Sequence, residues 1–179
     1  VLYEHFPRIT MGIERGDFFK SPALTGALDH AKKTGGAVNL VGLLTEGNVH
    51  ASLTHVKALL LAAKERGAHD VNLHLFTDGK DSRPRSALDL IARVEAFATE
   101  YGVGRIATIA GRYYALDRDE HWDRTQQTYR ALTAGTPLAG DIAGTIKSYY
   151  DRGLGDEFIE PFAIGPQAHP IRDCDAVIF

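Results

Sequence analysis

Charged and aromatic side chains gather in three short segments of the chain, and each segment follows an apolar run. The segments are residues 46–50, 78–83 and 111–119. Arginines, a lysine, a histidine and several carboxylates lie within them. Planar arginine side chains bind small anions through paired hydrogen bonds, and a nearby carboxylate or imidazole can transfer a proton. The three segments therefore predict a site for a small anion such as a sugar phosphate or a phosphorylated hydroxy acid.

Several of these residues also have a structural interpretation, and the residue types leave both open. An ordinary turn explains the dipeptide Asp78-Gly79. Solvated loop charges explain Lys80 and Arg83, and a helix cap explains His50, which lies just before a predicted helix.

The two arginines of the third segment need partners for their charges. Anion binding by Arg112 and Arg118 is one solution, and ion pairs with Asp117 and Asp119 are the other. The sequence does not decide between them.

For other histidines and the cysteine, the sequence indicates structural roles. Four further histidines lack the spacing of metal ligands, so we expect surface, turn or strand positions for them: His55, His69, His74 and His121. We expect Cys174, the only cysteine, to be an inert packed thiol. The chain contains no Walker loop, dinucleotide fingerprint, zinc-protease helix or Gly-x-Ser-x-Gly elbow.

The patterning predicts which elements position the three segments. A short, almost wholly apolar run predicts a strand over 37–44, and two further runs rich in apolar residues predict strands over 71–76 and 105–110, each strand followed by one of the segments as a loop. The third of these loops is predicted over 111–119. Apolar residues at helical spacing and capping signals predict helices at 22–33, 53–66, 85–101 (opened by Pro84), 122–132 and from Asp141 onward. Further strands are predicted at 158–164 and 175–179.

This alternation predicts a single α/β domain with a mainly parallel, or mixed, central sheet. In open sheets of this kind, ligands bind beyond the carboxyl ends of the strands. If the first three strands are neighbours, the three polar loops meet at one edge.

Composition excludes several other classes of protein. The 179 residues are 44% hydrophobic and 24% charged, which is typical of one globular domain. A net charge of -3 supplies no general attraction to nucleic acid, and no apolar run has the length of a membrane span. A single cysteine is compatible with a reducing cytoplasm, which is the location we predict. Since the chain begins at Val1 and ends in a predicted strand, we expect it to derive from a longer protein.

The three loops and their strands resemble the cofactor-independent (2,3-bisphosphoglycerate-independent) phosphoglycerate mutases. The runs that carry the resemblance are LLTEGNVH at 43–50, FTDGKDS at 76–82 and GRIATIAGRYYALDRD at 104–119. Residues 8–19 and 175–179 resemble the borders of the substrate domain that is inserted in these enzymes. The resemblance covers essentially the whole chain.

The family resemblance implies a function and a division of labour. Enzymes of this family interconvert 3-phosphoglycerate and 2-phosphoglycerate in glycolysis and gluconeogenesis. A phosphatase-like domain carries a serine nucleophile and two manganese ions (Mn²⁺), and the inserted domain holds the glycerate. The resemblance implies that residues 1–179 are this substrate-binding domain, inactive by itself, with no metal site of its own and with the phosphatase-like domain as its partner in the full chain.

The resemblance also implies roles for five residues. Arg112 and Arg118 bind the carboxylate or phosphate of the substrate, and His50 contacts it. Asp81 is the acid and base on the glycerate hydroxyls, because the phosphoryl group leaves one oxygen and returns to its neighbour. Lys80 lies where the family motif Asp-Gly-Arg-Asp has arginine.

The first loop departs further from the family motif Asp-Gly-Gly-Val-His-Ser-His. Glu46, Asn48, Ala51 and Ser52 differ from it, and His50 is the one histidine retained. The alternatives are therefore a divergent, non-catalytic anion-binding module and a mutase for another sugar phosphate.

Overall fold

The computed structural model describes residues 4–165 and 169–179. Glycine and proline set many of the element boundaries. Pro22 lies in the first turn of one helix, and Gly35 and Gly102 end two helices in the left-handed conformation that glycine adopts without steric cost. The helices are α1 (His5–Arg15), α2 (Pro22–Thr34), α3 (Leu53–Glu65), α4 (Ala87–Tyr101), α5 (Arg112–Ala115), α6 (Trp122–Ala134) and α7 (Ile142–Asp151). The strands are β1 (Val38–Leu44), β2 (Val71–Thr77), β3 (Arg105–Gly111), β4 (Leu138–Ala139), β5 (Phe162–Ile164) and β6 (Ala176–Ile178).

The strands form one sheet in the order β4-β5-β3-β2-β1-β6. All neighbours are parallel except β3 and β5, which are antiparallel. Leu44 pairs with Thr77, and Thr77 pairs with Gly111, so the three central strands end at the same level. The predicted α/β domain with a mainly parallel sheet is confirmed, as is the adjacency on which the prediction of one shared edge depends.

Alternating strand residues face two cores of unequal size. Leu40, Leu73 and Leu75 belong to the larger core, which α2, α3, α4 and α7 complete. On the opposite face Val41 and Phe76 form a smaller cluster with Ala110, against which residues of α5 and α6 pack. The sheet is thus covered thickly on one face and thinly on the other.

A buried polar network lies on the thinly covered face. The His74 ring bonds to Asn39 Oδ1 at 3.0 Å through Nε2 and to Thr108 Oγ1 at 2.9 Å through Nδ1. Asn39 in turn donates to Asp175 at 3.1 Å, and Asn72 donates to Asn39. Since Asn39 Oδ1 is an acceptor, the His74 proton belongs on Nε2. The network links β1, β2 and β3 to the residue that precedes β6.

Several predicted boundaries change in the structure. The helix predicted from 85 begins at Ala87, because residues 84–86 form a turn that a distant carboxylate caps. The loop predicted at 111–119 contains α5, and the strand predicted at 158–164 is a 3₁₀ turn, Asp156–Phe158, followed by the shorter β5. Helix α1 and strand β4 were not predicted.

The prediction of a packed thiol at Cys174 is wrong. Cys174 is exposed because it lies in a turn before β6 with a positive φ of 72°. Its carbonyl oxygen accepts a hydrogen bond from Thr34 Oγ1 at 2.9 Å, so its backbone carries the contact to α2.

Membrane insertion through a helix finds no support in the described ranges 4–165 and 169–179. None of the helices there has the combination of length and apolar character that crossing a bilayer requires.

Candidate active site

The three polar loops meet at the carboxyl edge of β1, β2 and β3, and glycines allow their close contact. A Cβ at Gly47 would overlap the carbonyl group of Asp81, so glycine there brings the first loop onto the second. A Cβ at Gly111 would overlap the carbonyl group of Glu157, and one at Gly79 would crowd the same 3₁₀ turn. Close backbone packing therefore joins the loops into one continuous floor of the site.

Asp78 is the buried anchor of this floor. Its carboxylate accepts hydrogen bonds from Thr45 Oγ1 at 2.6 Å and from the amides of Lys80 and Asp81 at 3.2 and 3.1 Å. Burial alone raises the pKa of Asp78, but these bonds and one from Arg112 outweigh it and lower the pKa to about 2. Asp78 thus forms the turn that the dipeptide predicts, and it also holds a charge at the base of the site.

Arg112 lies between two carboxylates. Its Nη1 is 2.5 Å from Asp78 Oδ1 and 2.8 Å from Asp81 Oδ2, and its side chain is 18% exposed. Burial opposes the charged form, but the two carboxylates outweigh this effect and raise the pKa of Arg112. The ion pairs of Arg112 are therefore with the second loop and not with Asp117 or Asp119.

His50 lies on the solvent side of Asp81. Its Nε2 is 3.8 Å from Asp81 Oδ2, and the histidine side chain is 64% exposed. The helix cap proposed as its structural role belongs to Ser52, whose Oγ accepts from the amide of Thr54 at 3.3 Å. His50 is left available to a ligand.

Lys80 and Arg118 complete the set of five predicted residues. Both are exposed, and neither forms an ion pair within the part of the chain that the structure describes. Asp117, the suggested partner of Arg118, pairs with Arg124 at 3.1 Å instead. An open cleft of about 900 Å³ is lined by all five predicted residues, His50, Lys80, Asp81, Arg112 and Arg118.

The site also contains residues that the sequence did not single out. Thr45, buried below the cleft, donates to Asp78, and its position directly after β1 is a signal that could have identified it. Arg124 and Tyr113 line the cleft, but Arg124 comes from the first turn of α6, where an arginine has the pattern of a solvated helix face.

One group of potential metal ligands exists among residues 4–165 and 169–179. Asp117, Asp119 and His121 place their ligand atoms within 4.8 Å of one another. Asp117, however, already accepts hydrogen bonds from His121 and Arg124. These contacts identify the group as a hydrogen-bonded turn that precedes α6.

A parallel sheet with a cation-lined cleft at its carboxyl edge is typical of α/β domains that bind small anionic ligands. The chain belongs to the family described as the BPG-independent PGAM N-terminus, whose family model matches residues 9–179. The family resemblance found in the sequence is confirmed.

Curated relatives agree with this assignment. The chain is 42% identical to the 2,3-bisphosphoglycerate-independent phosphoglycerate mutase of Staphylococcus saprophyticus over 181 residues, covering 100% of this chain and 36% of that protein. The corresponding protein of Moorella thermoacetica is 43% identical over 183 residues, again with 100% of this chain and 36% of the relative. The chain therefore spans about a third of the length of these relatives.

A solved structure confirms the fold. The chain superposes on a crystal structure of Leishmania mexicana phosphoglycerate mutase at low cobalt concentration with a TM-score of 0.88. The match covers 96% of this chain and 34% of that one at 24% sequence identity, so it bears on the fold alone.

Proposed function

We propose that this chain is the substrate-binding domain of a cofactor-independent phosphoglycerate mutase and that its cleft holds 2- or 3-phosphoglycerate. The observation that carries the proposal is the arrangement around Arg112. Two carboxylates, Asp78 and Asp81, hold its guanidinium, while Lys80 and Arg118 line the same cleft and form no ion pair with the described residues. Such cations bind a ligand with two anionic groups, and phosphoglycerate has a phosphate and a carboxylate.

Asp81 is the residue that we assign to proton transfer. Its Oδ2 accepts from Arg112, whereas Oδ1 has no hydrogen-bond partner among the residues described. Oδ1 can therefore accept a proton from one glycerate hydroxyl and return it to the neighbouring oxygen as the phosphoryl group moves. We assign substrate contact to His50 because its Nε2 is 3.8 Å from Asp81 Oδ2 and its side chain is 64% exposed.

The nucleophile and the metal ions belong, in this proposal, to the phosphatase-like domain of the full-length enzyme. That domain supplies the serine that carries the phosphoryl group and the two Mn²⁺ ions that activate it. Asp117, Asp119 and His121 do not fit a manganese site, because Asp117 is committed to Arg124 and to its own turn. The cytoplasmic location stays a prediction.

Titration of 3-phosphoglycerate into the 179-residue chain, followed through amide NMR shifts, tests the proposal. We expect shifts concentrated at His50, Lys80, Asp81, Arg112 and Arg118. Arg118→Gln should weaken binding about tenfold by removing one charge-assisted contact. Arg130→Gln, which removes an exposed arginine on α6 that does not line the cleft, is the matched control and should bind as wild type does.

Two results would contradict the proposal. Absence of shifts at millimolar 3-phosphoglycerate would favour a non-catalytic, divergent module. Tighter binding of a hexose phosphate than of phosphoglycerate would favour a mutase for another sugar phosphate.

A further inference from the structure

Arg124, in the first turn of α6, contacts both ends of the segment that carries the two substrate arginines. Its Nη1 donates to Asp117 Oδ1 at 3.1 Å, and its guanidinium carbon lies 3.8 Å from the centre of the Tyr113 ring. Tyr113 directly follows Arg112, and Asp117 directly precedes Arg118. A single planar group thus joins two points of the segment that lie beside the two arginines.

Burial and neighbouring side chains stabilise both contacts of Arg124. The Asp117 side chain is 4% exposed and that of Arg124 is 19% exposed, so solvent screens their ion pair little. Asp117 also accepts from the amide and from Nδ1 of His121, each at 2.8 Å. The Tyr113 ring is held from another side by Phe158, with ring centres 5.3 Å apart.

The two substrate arginines differ in how they are fixed. Arg112 is held by the carboxylates of Asp78 and Asp81. Arg118 is exposed and has no ion pair in the described part of the chain, so its position depends on the backbone that carries it. The contacts that hold Asp117 therefore determine the position of Arg118 relative to Arg112.

We propose that Arg124 is a positioning residue that sets the spacing between Arg112 and Arg118, and through it the preference of the cleft for a ligand with two separate anionic groups. This inference rests on the proposed function, because it assigns Arg118 to the ligand. Arg124 itself acts through Asp117 and Tyr113.

The chemistry of the guanidinium explains why arginine is needed at this position. The guanidinium lies over the Tyr113 ring while one of its N–H groups donates to Asp117. A lysine ammonium retains the charge but cannot make both contacts in one fixed geometry. Arg124→Lys therefore separates the positioning role from the simple presence of a cation.

The first test needs no ligand. We expect Arg124→Lys to lower the backbone NMR order parameters of residues 117–119 from the rigid range of about 0.85 toward the flexible range below about 0.6. Arg130→Lys, on the same helix, is the matched control and should leave them unchanged. Unchanged order parameters in Arg124→Lys would overturn the inference whether or not the chain binds phosphoglycerate.

The second test compares two ligands. Spacing between two cations matters to 3-phosphoglycerate but not to inorganic phosphate, which has one anionic group. We expect Arg124→Lys to weaken 3-phosphoglycerate binding about tenfold and to change phosphate binding less than about twofold. Equal weakening of both ligands would show direct contact by Arg124 and overturn the positioning role.

The outcomes separate this inference from the proposed function. If the wild-type chain binds 3-phosphoglycerate but Arg124→Lys binds it equally well, the inference fails and the proposed function stands. If the wild-type chain binds no phosphoglycerate, the proposed function fails, and the role assigned to Arg124 fails with it.

Discussion

Lysine at position 80 brings positive charge to the cleft without the paired donors of a guanidinium. The resemblance to the mutases places an arginine at this point of the second loop. Lys80 is exposed and forms no ion pair within residues 4–165 and 169–179, so space and solvent surround it. Its identity therefore affects how strongly and how rigidly an anion is held more than it affects the fold.

We expect Lys80→Arg to tighten the binding of 3-phosphoglycerate by about threefold to tenfold, because a planar fork can donate two parallel hydrogen bonds to one anionic group. The dissociation constant from NMR or calorimetric titration measures the effect. Lys147→Arg, an exposed lysine on α7, serves as the control and should leave affinity unchanged. Weaker binding in Lys80→Arg would mean that the cleft is shaped for the smaller ammonium group.

Three of the four departures in the first loop have structural explanations, and the structure offers none for Ala51. Asn48 has a positive φ of 53°, a conformation that asparagine tolerates better than most residues, so it can replace a glycine there. Ser52 caps α3, and Glu46 pairs with Arg83 at 2.9 Å. Each of these three residues therefore has a structural role in or beside the loop.

Burial of His74 gives the fold a predictable dependence on pH. Burial lowers the pKa of His74 to about 4, with Asp175 opposing the shift in part. The unfolded chain binds this proton near the ordinary value of about 6.5, so acidification through this range favours unfolding. Above that range both states are neutral at this residue, and the effect vanishes.

We expect wild-type stability to fall by about 2 kcal/mol more than that of His74→Gln between pH 7 and pH 5. Urea unfolding at the two pH values measures this difference, and the comparison cancels the contributions of the other histidines. His69→Gln, an exposed histidine, should retain the wild-type dependence. Parallel losses in wild type and His74→Gln would show that His74 is already charged in the folded protein.

At the scale of elements, the 3₁₀ turn Asp156–Phe158 supports the floor of the cleft. The Asp156 carboxylate accepts from the amides of Ser86 and Ala87 at 2.8 and 2.9 Å, and so caps α4 from a distant part of the chain. It also accepts from Tyr150 Oη at 2.5 Å, while its carbonyl oxygen accepts from Thr77 Oγ1 at 2.8 Å. One buried residue thus joins α4, α7 and the end of β2.

We expect Asp156→Ala to lower the free energy of unfolding by about 3 kcal/mol, because it leaves several buried donors without a partner. Asp141→Ala removes the exposed local cap of α7 and should cost only about 1 kcal/mol. Urea unfolding compares the two. Asp156→Asn retains one acceptor oxygen, so its loss of unfolding free energy should lie between those of Asp156→Ala and Asp141→Ala. Similar losses in Asp156→Ala and Asp141→Ala would show that the turn containing Asp156 rearranges to satisfy the donors.

The sequence was sufficient for the elements whose signals are local. The three central strands are rich in apolar residues and end in glycine-containing polar loops, so both the strands and the shared edge were predictable. The cap of α4 was not, because Ser86 and Asp156 are 70 residues apart in the chain. Helix α1 has no buried residue, and β4 is two residues long and depends on pairing with β5, so neither has a strong local pattern.

The same distinction holds within the site. The five candidate residues lie in loops that follow predicted strands, and the topology brings them together without further information. The partners of their charges depend on side-chain geometry. Arg112 reaches Asp78 and Asp81 across neighbouring loops, and Arg124 reaches Asp117 from α6, contacts that no spacing along the chain predicts.

On the scale of the whole molecule, the described residues that line the cleft include the cations and the carboxylate of the proposed site, but no serine hydroxyl free of other contacts. Ser52 is the one serine among the described residues that line the cleft. Its hydroxyl is used to cap α3 and lies 2.9 Å from Thr54 Oγ1. The chain also spans only 36% of the Staphylococcus saprophyticus mutase that it resembles.

We therefore expect the purified 179-residue chain to bind phosphoglycerate without interconverting its isomers, even at high protein concentration and with manganese added. Exchange between 3- and 2-phosphoglycerate, followed by ³¹P NMR, measures this, with the full-length Staphylococcus saprophyticus enzyme as the positive control. Because phosphoryl transfer needs a nucleophile to carry the group between the two oxygens, a substrate-binding cleft alone lowers no barrier on that path. If the chain interconverts the isomers and Asp81→Asn abolishes this activity, the whole reaction lies within this domain and the division of labour is contradicted. If the activity survives Asp81→Asn, it comes from a contaminating enzyme.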